Sequence, residues 1–220
     1  MSILECKGLS KRFGAVTALD GISFTIEPGR IVGLLGPNGS GKTTLIKLAN
    51  GLLVPTAGEL WINGRAPGKE SHAMVSYLPE RTSLPLWMTV KQLQDFYEDF
   101  YADFQRERSE EMLDRLEISA KQRMKHMSKG TREKVQLILA MSRQAKLYLL
   151  DEPIGGVDPA ARDYILDTII RNYNPEASVI ISTHLIADVE KVLDEVLFID
   201  RGQILLQSSV DAIREEKGMS

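Results

Sequence analysis

The sequence predicts an α/β chain built on a mostly parallel central sheet, with an all-helical insertion near residues 81–145. Three observations carry that expectation. Apolar, strand-like runs open the chain, and the period changes to a helical one from about Thr89 to Arg143. Strands then return in alternation with helix. Leu147 to Leu150 and Ser178 to Ser182 are short apolar runs without alternation, the pattern of parallel strands buried on both faces.

Taken in order, Ile3 to Cys6, Ser23 to Ile26 and Ile31 to Leu35 read as strands. Glu59 to Ile62, followed by Asn63-Gly64, reads as a strand running into a tight turn, and Ala73 to Leu78 as a further strand. In the insertion, Val90, Leu93, Phe96, Tyr97, Phe100, Tyr101 and Phe104 recur at helical spacing and read as a stripe that packs on a core. Met112, Leu113 and Leu116 mark a second helix, and Val135, Leu137, Ile138, Leu139 and Met141 a third. Ala161 to Tyr173 reads as a helix with Ile165, Ile169 and Ile170 inward. Glu195 to Ile199 joins Ile204 to Leu206 through Asp200-Arg201-Gly202 as a hairpin. Neither repeats nor a long linker interrupt the pattern, so residues 1–220 read as a single domain carrying the helical insertion.

A chain of 220 residues is ample for a core. Its formal net charge of -3 argues against a nucleic-acid surface driven by excess positive charge. The single cysteine, Cys6, cannot form an internal disulfide, which fits a reducing compartment. No segment approaches the ~18 consecutive apolar residues of a bilayer span. Charge appears too early in Met1 to Lys7 for a secretory leader. The expected location is therefore cytoplasmic, with any membrane role resting on a separate chain.

Gly36-Pro37-Asn38-Gly39-Ser40-Gly41-Lys42-Thr43 matches the pattern G-x-x-x-x-G-K-[ST] of a P-loop NTPase. An apolar run precedes it and a helix-like segment starting at Thr44 follows, which is the strand, loop and helix order that the chemistry needs. Glycines let backbone N–H groups turn toward phosphate oxygens, and the helix start adds the positive end of its dipole. In that pattern Lys42 reaches the β- and γ-phosphates, and the Thr43 hydroxyl ligates Mg²⁺. A glycine-rich turn matching by accident would not need the flanking strand and helix.

Kinases, GTPases and ATPases share this loop, so other motifs must choose. The strand ending Lys146 to Leu150 runs into Asp151-Glu152-Pro153. Side chains alternate across a strand, so the two acids point different ways. Asp151 can support Mg²⁺ through a water, and Glu152 can polarise the water that attacks the γ-phosphate. Two acids capping a following helix are the structural alternative, against which Pro153 argues.

Further motifs resemble those of ABC-type ATPases. Met127-Ser128-Lys129-Gly130-Thr131 resembles the L-S-G-G-Q signature, and Thr183-His184 the switch histidine at a strand end. Gly155-Gly156-Val157-Asp158-Pro159 resembles the D-loop, and Glu80 of Tyr77-Leu78-Pro79-Glu80 falls at the Q-loop position. Phe13, in Lys11-Arg12-Phe13-Gly14, stands where the family stacks adenine. The motifs occur in the family's order and cover nearly the whole chain.

The resemblance implies a core with an antiparallel β subdomain and an inserted helical subdomain. It implies an ATPase with ATP and Mg²⁺ as cofactors. Phe13, Gly36 to Thr43 and Thr44 would hold the nucleotide, while Thr43, Glu80 and Asp151 would serve the metal. Glu152 and His184 would be catalytic. Ser128, Gly130 and Asp158 would act across a dimer, on the nucleotide of a second ATPase subunit, identical or related. The dimer would drive an integral membrane permease at the cytoplasmic face of the membrane, with no nucleic-acid partner. Ser128 also reads as a plain helix N-cap, and Asp158 as an N-cap before Pro159. His72 and His126 read as surface residues. Trp87 and Met88 read first as ordinary packing inside the insertion, and alternatively as apolar contact with a permease.

Two departures stand out. Glu80 replaces Gln, putting a carboxylate where the family offers a neutral carbonyl, and Lys129 replaces a glycine while Thr131 replaces Gln. An S-K-G signature resembles ATPase subunits of bacterial ABC-2-type exporters. Two other readings stay open. A soluble ABC ATPase working on DNA ends would carry a long coiled coil, and one on ribosomes would carry two ATPase domains. A small-molecule kinase would need neither signature helix nor Asp158. A multi-span membrane protein encoded next door would favour transport over both.

Overall fold

The computed structural model describes residues 2–155, 159–174 and 176–216. Asp158, with Gly156 and Val157 of the D-loop-like segment, lies outside the described residues.

Three strands, β1 (Leu4–Phe13), β2 (Val16–Ile26) and β4 (Ala57–Ile62), form an antiparallel sheet in the order β2-β1-β4. Between them in sequence come β3 (Ile31–Leu35) and helix α1 (Lys42–Ala49). Next follow α2 (Lys69–His72) and β5 (Val75–Leu78), then the helices α3 (Val90–Phe100) and α4 (Arg106–Arg115). A short 3-10 turn, Met124–His126, leads to α5 (Lys129–Met141). The remainder alternates: β6 (Leu147–Asp151), α6 (Pro159–Asn172), β7 (Ser178–Thr183), α7 (Ile186–Val189), β8 (Glu195–Asp200), β9 (Gln203–Ser209) and α8 (Val210–Glu216). A six-stranded sheet orders β5-β6-β7-β3-β8-β9, parallel except for β9, which pairs antiparallel with β8.

Both faces of the inner strands β3, β6 and β7 are buried. Val32 and Leu34 of β3, Leu147 and Leu149 of β6 and Ile180 of β7 face the antiparallel sheet and α1. Their neighbours Ile31, Leu35, Tyr148, Leu150, Val179 and Ile181 face α5 and α6. This two-sided burial is why these strands read as continuous apolar runs. The turns follow local chemistry. Asn63 and Gly64 (φ 47° and 73°), and Arg201 and Gly202 (φ 46° and 75°), take the left-handed pairs of two-residue turns.

Strands β1 and β2 extend well beyond Ile3–Cys6 and Ser23–Ile26. They continue to Phe13 and back from Val16 through register shifts after Cys6 and Leu9. Such irregularities break the apolar alternation on which a sequence reading depends. The aromatic stripe of the insertion also divides. Val90 and Leu93 are buried and Tyr97 packs against the core, whereas Phe96 and Phe100 are 49% and 69% exposed and stack with centroids 5.5 Å apart. At about 100° per residue, position 96 falls off the face that 90, 93 and 97 share, whereas Phe100 stays on the side of Leu93 and is exposed as the last residue of the helix. The helix ends at Phe100, and Tyr101 is already extended.

Thr89 opens α3 with a capping box: its hydroxyl accepts from the Gln92 amide at 3.2 Å, and Gln92 Oε1 accepts from the Thr89 amide at 2.9 Å. A buried guanidinium ties this helical layer to the sheet. Arg143 bonds both carboxylate oxygens of Asp103 (2.9 and 3.2 Å), donates to the carbonyls of Ala73 (3.1 Å) and Val75, and lies 3.8 Å from the Tyr101 ring centroid.

Candidate functional site

The carboxyl ends of the parallel strands β5, β6, β7 and β3 open onto one side of the sheet, where ligands of such sheets bind. The 36–43 loop leaves β3 there and feeds α1. Close approach fixes two glycines of that loop. A Cβ on Gly36 would stand 2.0 Å from the Ile199 carbonyl oxygen, and one on Gly41 2.6 Å from that of Ala18. A Cβ on Gly39 would meet nothing within 4 Å, which leaves the loop's outer turn open to a ligand.

Lys42 is only 5% exposed. Its ammonium donates to the carbonyls of Gly36 (2.8 Å) and Pro37 (3.0 Å) and lies 3.6 Å from Glu152 Oε1. These partners keep a buried cation at the centre of the loop, where a phosphate chain would find it. Thr43 turns its hydroxyl to Asp151 Oδ1 at 3.0 Å.

Asp151 ends β6 and is 1% exposed. Oδ1 accepts from both Thr43 and Ser182 (3.0 Å each), while Oδ2 is shielded from solvent with no partner. Burial raises its carboxyl above the ordinary range. The two hydroxyl bonds oppose that rise, and the charges of Glu80 and Glu152 add to it. A carboxylate with one free buried oxygen beside a threonine hydroxyl is an oxygen donor set suited to a hard divalent cation.

Glu152 follows the last residue of β6 and engages partners other than those of Asp151, although its left-handed backbone, not strand alternation, sets its direction. Its carboxylate lies 3.1 Å from His184 Nδ1 and faces Lys42. Its backbone sits at φ 48°, a left-handed conformation that costs a non-glycine residue roughly 1–3 kcal/mol and tends to occur at working sites. His184 follows β7 directly. Glu80 follows β5 and lines a pocket of about 350 Å³ with Thr43, Tyr77, Arg81 and Asp151. Burial, with the Asp151 and Glu80 charges, pushes the Tyr77 hydroxyl up to about 12.

Thr43, Glu80, Asp151, Glu152 and His184 thus come together around the loop. Phe13 closes β1 with its ring 47% exposed and the Lys11 ammonium 5.1 Å from its centroid. Ser128 caps α5: its hydroxyl accepts from the Thr131 amide at 3.1 Å. Gly130 lies in the first turn of that helix. His72 and His126 are exposed, although His72 also bonds the Asn50 carbonyl at 2.9 Å. Sequence reasoning missed Ser182, the second hydroxyl on Asp151. Its signal was a polar residue near the end of an otherwise apolar run, registered against Asp151 in the parallel ladder.

The ABC transporter family model matches residues 19–155, more than half of the chain. The chain belongs to the ABC transporter family. It is an ATP-binding protein of that family and an ATPase. The ABC-type transporter ATP-binding protein EcsA of Bacillus subtilis is 32% identical over 228 residues, spanning 100% of this chain and 92% of EcsA. The Nod factor export ATP-binding protein I of Ralstonia nicotianae is 33% identical across 93% of this chain and 66% of its own length. A solved ATP-binding subunit of an ABC transporter superposes with a TM-score of 0.86 at 30% identity, covering 99% of this ABC protein and 94% of that one. Among the described residues, no helix of this ABC protein is long and apolar enough to cross a membrane.

Proposed function

We propose that this ATPase binds MgATP at the 36–44 loop, dimerises around two nucleotides with a second ATPase subunit, and drives a separate membrane permease as an exporter. One observation supports the chemistry above all others. A buried cation, a buried carboxylate with a free oxygen, and a second carboxylate paired to a histidine converge on one glycine-rich loop.

In this reading the Gly36–Thr43 amides and the N-terminus of α1 wrap the phosphates, and Lys42 exchanges its carbonyl partners for phosphate oxygens. Thr44 continues that helix start, and Phe13 offers its exposed face to the adenine. Thr43, Asp151 and Glu80 would hold Mg²⁺. When bound, the ion neutralises charge on the phosphate oxygens. Glu152, freed from Lys42 by the incoming phosphates, accepts a proton from the attacking water. His184 orients Glu152 and donates toward the γ-phosphate.

Ser128 and Gly130 sit at the N-terminus of α5, an anion-binding end, and would meet the nucleotide of the opposite subunit together with Asp158. The permease would dock on the helical layer, where Leu86 and Trp87 are exposed with Phe96 and Phe100, while Met88 packs inward. Export is favoured by the S-K-G signature and by relatives named for Nod factor export and daunorubicin resistance. The protein would then work at the cytoplasmic face of the membrane.

Purification from native membranes tests the reading. A multi-span membrane protein should accompany the parent chain; recovery of the ATPase alone, or with ribosomes or DNA, would refute it. Lys42→Ala should lose most ATP binding in the same preparations, and retained affinity would refute the nucleotide site.

A further inference from the structure

A cleft of about 630 Å³ brings Asn38, Glu152 and His184, at the nucleotide side, together with Arg81, Lys129 and Arg132 from the loop after β5 and the start of α5. Several of its charges have partners within the chain. Lys129 pairs with Glu133 at 3.6 Å, and Glu152 with Lys42 at 3.6 Å and His184 at 3.1 Å. Two guanidiniums are different. Among the described residues, neither Arg81 nor Arg132 has an ion pair or a side-chain hydrogen bond, although Glu80 and Glu133 share the cleft. Arg132 Nε is moreover shielded from solvent with no acceptor.

A buried donor left without a partner is costly, and proteins seldom keep one without a use. A guanidinium fork matches phosphate oxygens two at a time, and it stays charged at any working pH. The anion that this protein's activity brings to the cleft is a nucleotide phosphate, and Asn38, Glu152 and His184 mark where its terminal group would project.

We propose that Arg81 and Arg132 bind the terminal phosphate of ATP held by the same chain, so that Arg132, rooted in α5, signals triphosphate rather than diphosphate to the helical layer. The proposal rests on the nucleotide site described above. ADP lacks the terminal group and leaves both guanidiniums without a partner. The contact therefore adds preference for ATP over ADP instead of uniform affinity.

The test is displacement of a fluorescent nucleotide by ATP and by ADP, at dilutions where light scattering detects single chains. Arg132→Ala and Arg81→Ala should each weaken ATP binding roughly tenfold while ADP changes less than twofold. Arg132→Lys should recover part of the loss, because a charge returns without the fork. Equal losses for ATP and ADP, or no loss at all, would overturn the proposal. So would an effect seen only at concentrations where dimers form, because the contact would then be to the partner's nucleotide. Unaltered melting of Arg132→Lys separates recognition from folding. Normal ATP binding by Lys42→Ala would instead remove the underlying site, a different failure from an unaltered ATP-to-ADP ratio in Arg132→Ala.

Discussion

Asp151 bears two demands at once. In the proposed function it must stay ionised to serve a cation, yet it is buried with one oxygen unpartnered. Because the folded state raises its pKa, folding favours the protonated form. The resulting penalty is absent below the ordinary carboxylate range and complete once pH exceeds the raised value. Asp151→Asn should therefore melt higher than the parent near neutral pH without nucleotide, with the gain shrinking as pH falls from the raised value and gone below the ordinary carboxylate range. It should also lose Mg²⁺-dependent turnover. Calorimetric scans across pH would show this, and a lower melting temperature at neutral pH would contradict it. Glu152 stores strain of another kind, a left-handed backbone held while its side chain spans Lys42 and His184. Most of this residue-scale chemistry was legible in the sequence, because loop glycines, Lys42, Thr43, Asp151, Glu152 and His184 sit in short local patterns. Ser182 was not, because its bond to Asp151 depends on the pairing of β6 with β7.

At the scale of elements, the insertion shows what a single sequence hides. Helical period placed α3, α4 and α5, but it merged Phe96 and Phe100 with the packing stripe, since only a tertiary neighbour decides which half of an apolar helix is covered. The clamp of Arg143 on Asp103, Ala73 and Tyr101 joins segments some 40 to 70 residues apart, a distance no periodicity reports. Arg143→Met leaves the partly exposed Asp103 and the Ala73 and Val75 carbonyls without their donor and should destabilise the fold by about 1–3 kcal/mol, read as a lower urea midpoint. An unchanged midpoint would show that the clamp contributes nothing. The loop after β5 carries the first of the two departures from the family pattern. Glu80 places a negative charge beside Thr43 and Asp151 and near the expected triphosphate. Glu80→Gln should alter both the turnover rate and the Mg²⁺ concentration that supports it; identical rates and identical Mg²⁺ dependence would leave Glu80 without a role at the cation.

For the whole molecule, a core that carries the 36–43 loop lies against a helical layer, reached through the 79–82 loop and α5. Gln136 links the two, donating to the Pro79 carbonyl at 3.3 Å from inside α5. The proposed γ-phosphate contacts within one chain come from the core, from Arg81 after β5 and from Arg132 inside α5, whereas Ser128 and Gly130 open that helix. The proposed function assembles each site from the loop of one copy and the α5 start of another, and turnover would then depend on association. Glu152→Gln keeps the carbonyl geometry beside Lys42 and His184 but cannot take a proton from water. Light scattering of this variant in MgATP is the most direct measurement of the proposed assembly. A mass of two chains that falls to one when nucleotide is withdrawn is the predicted result. Chains that bind MgATP tightly and remain single at every concentration would contradict it.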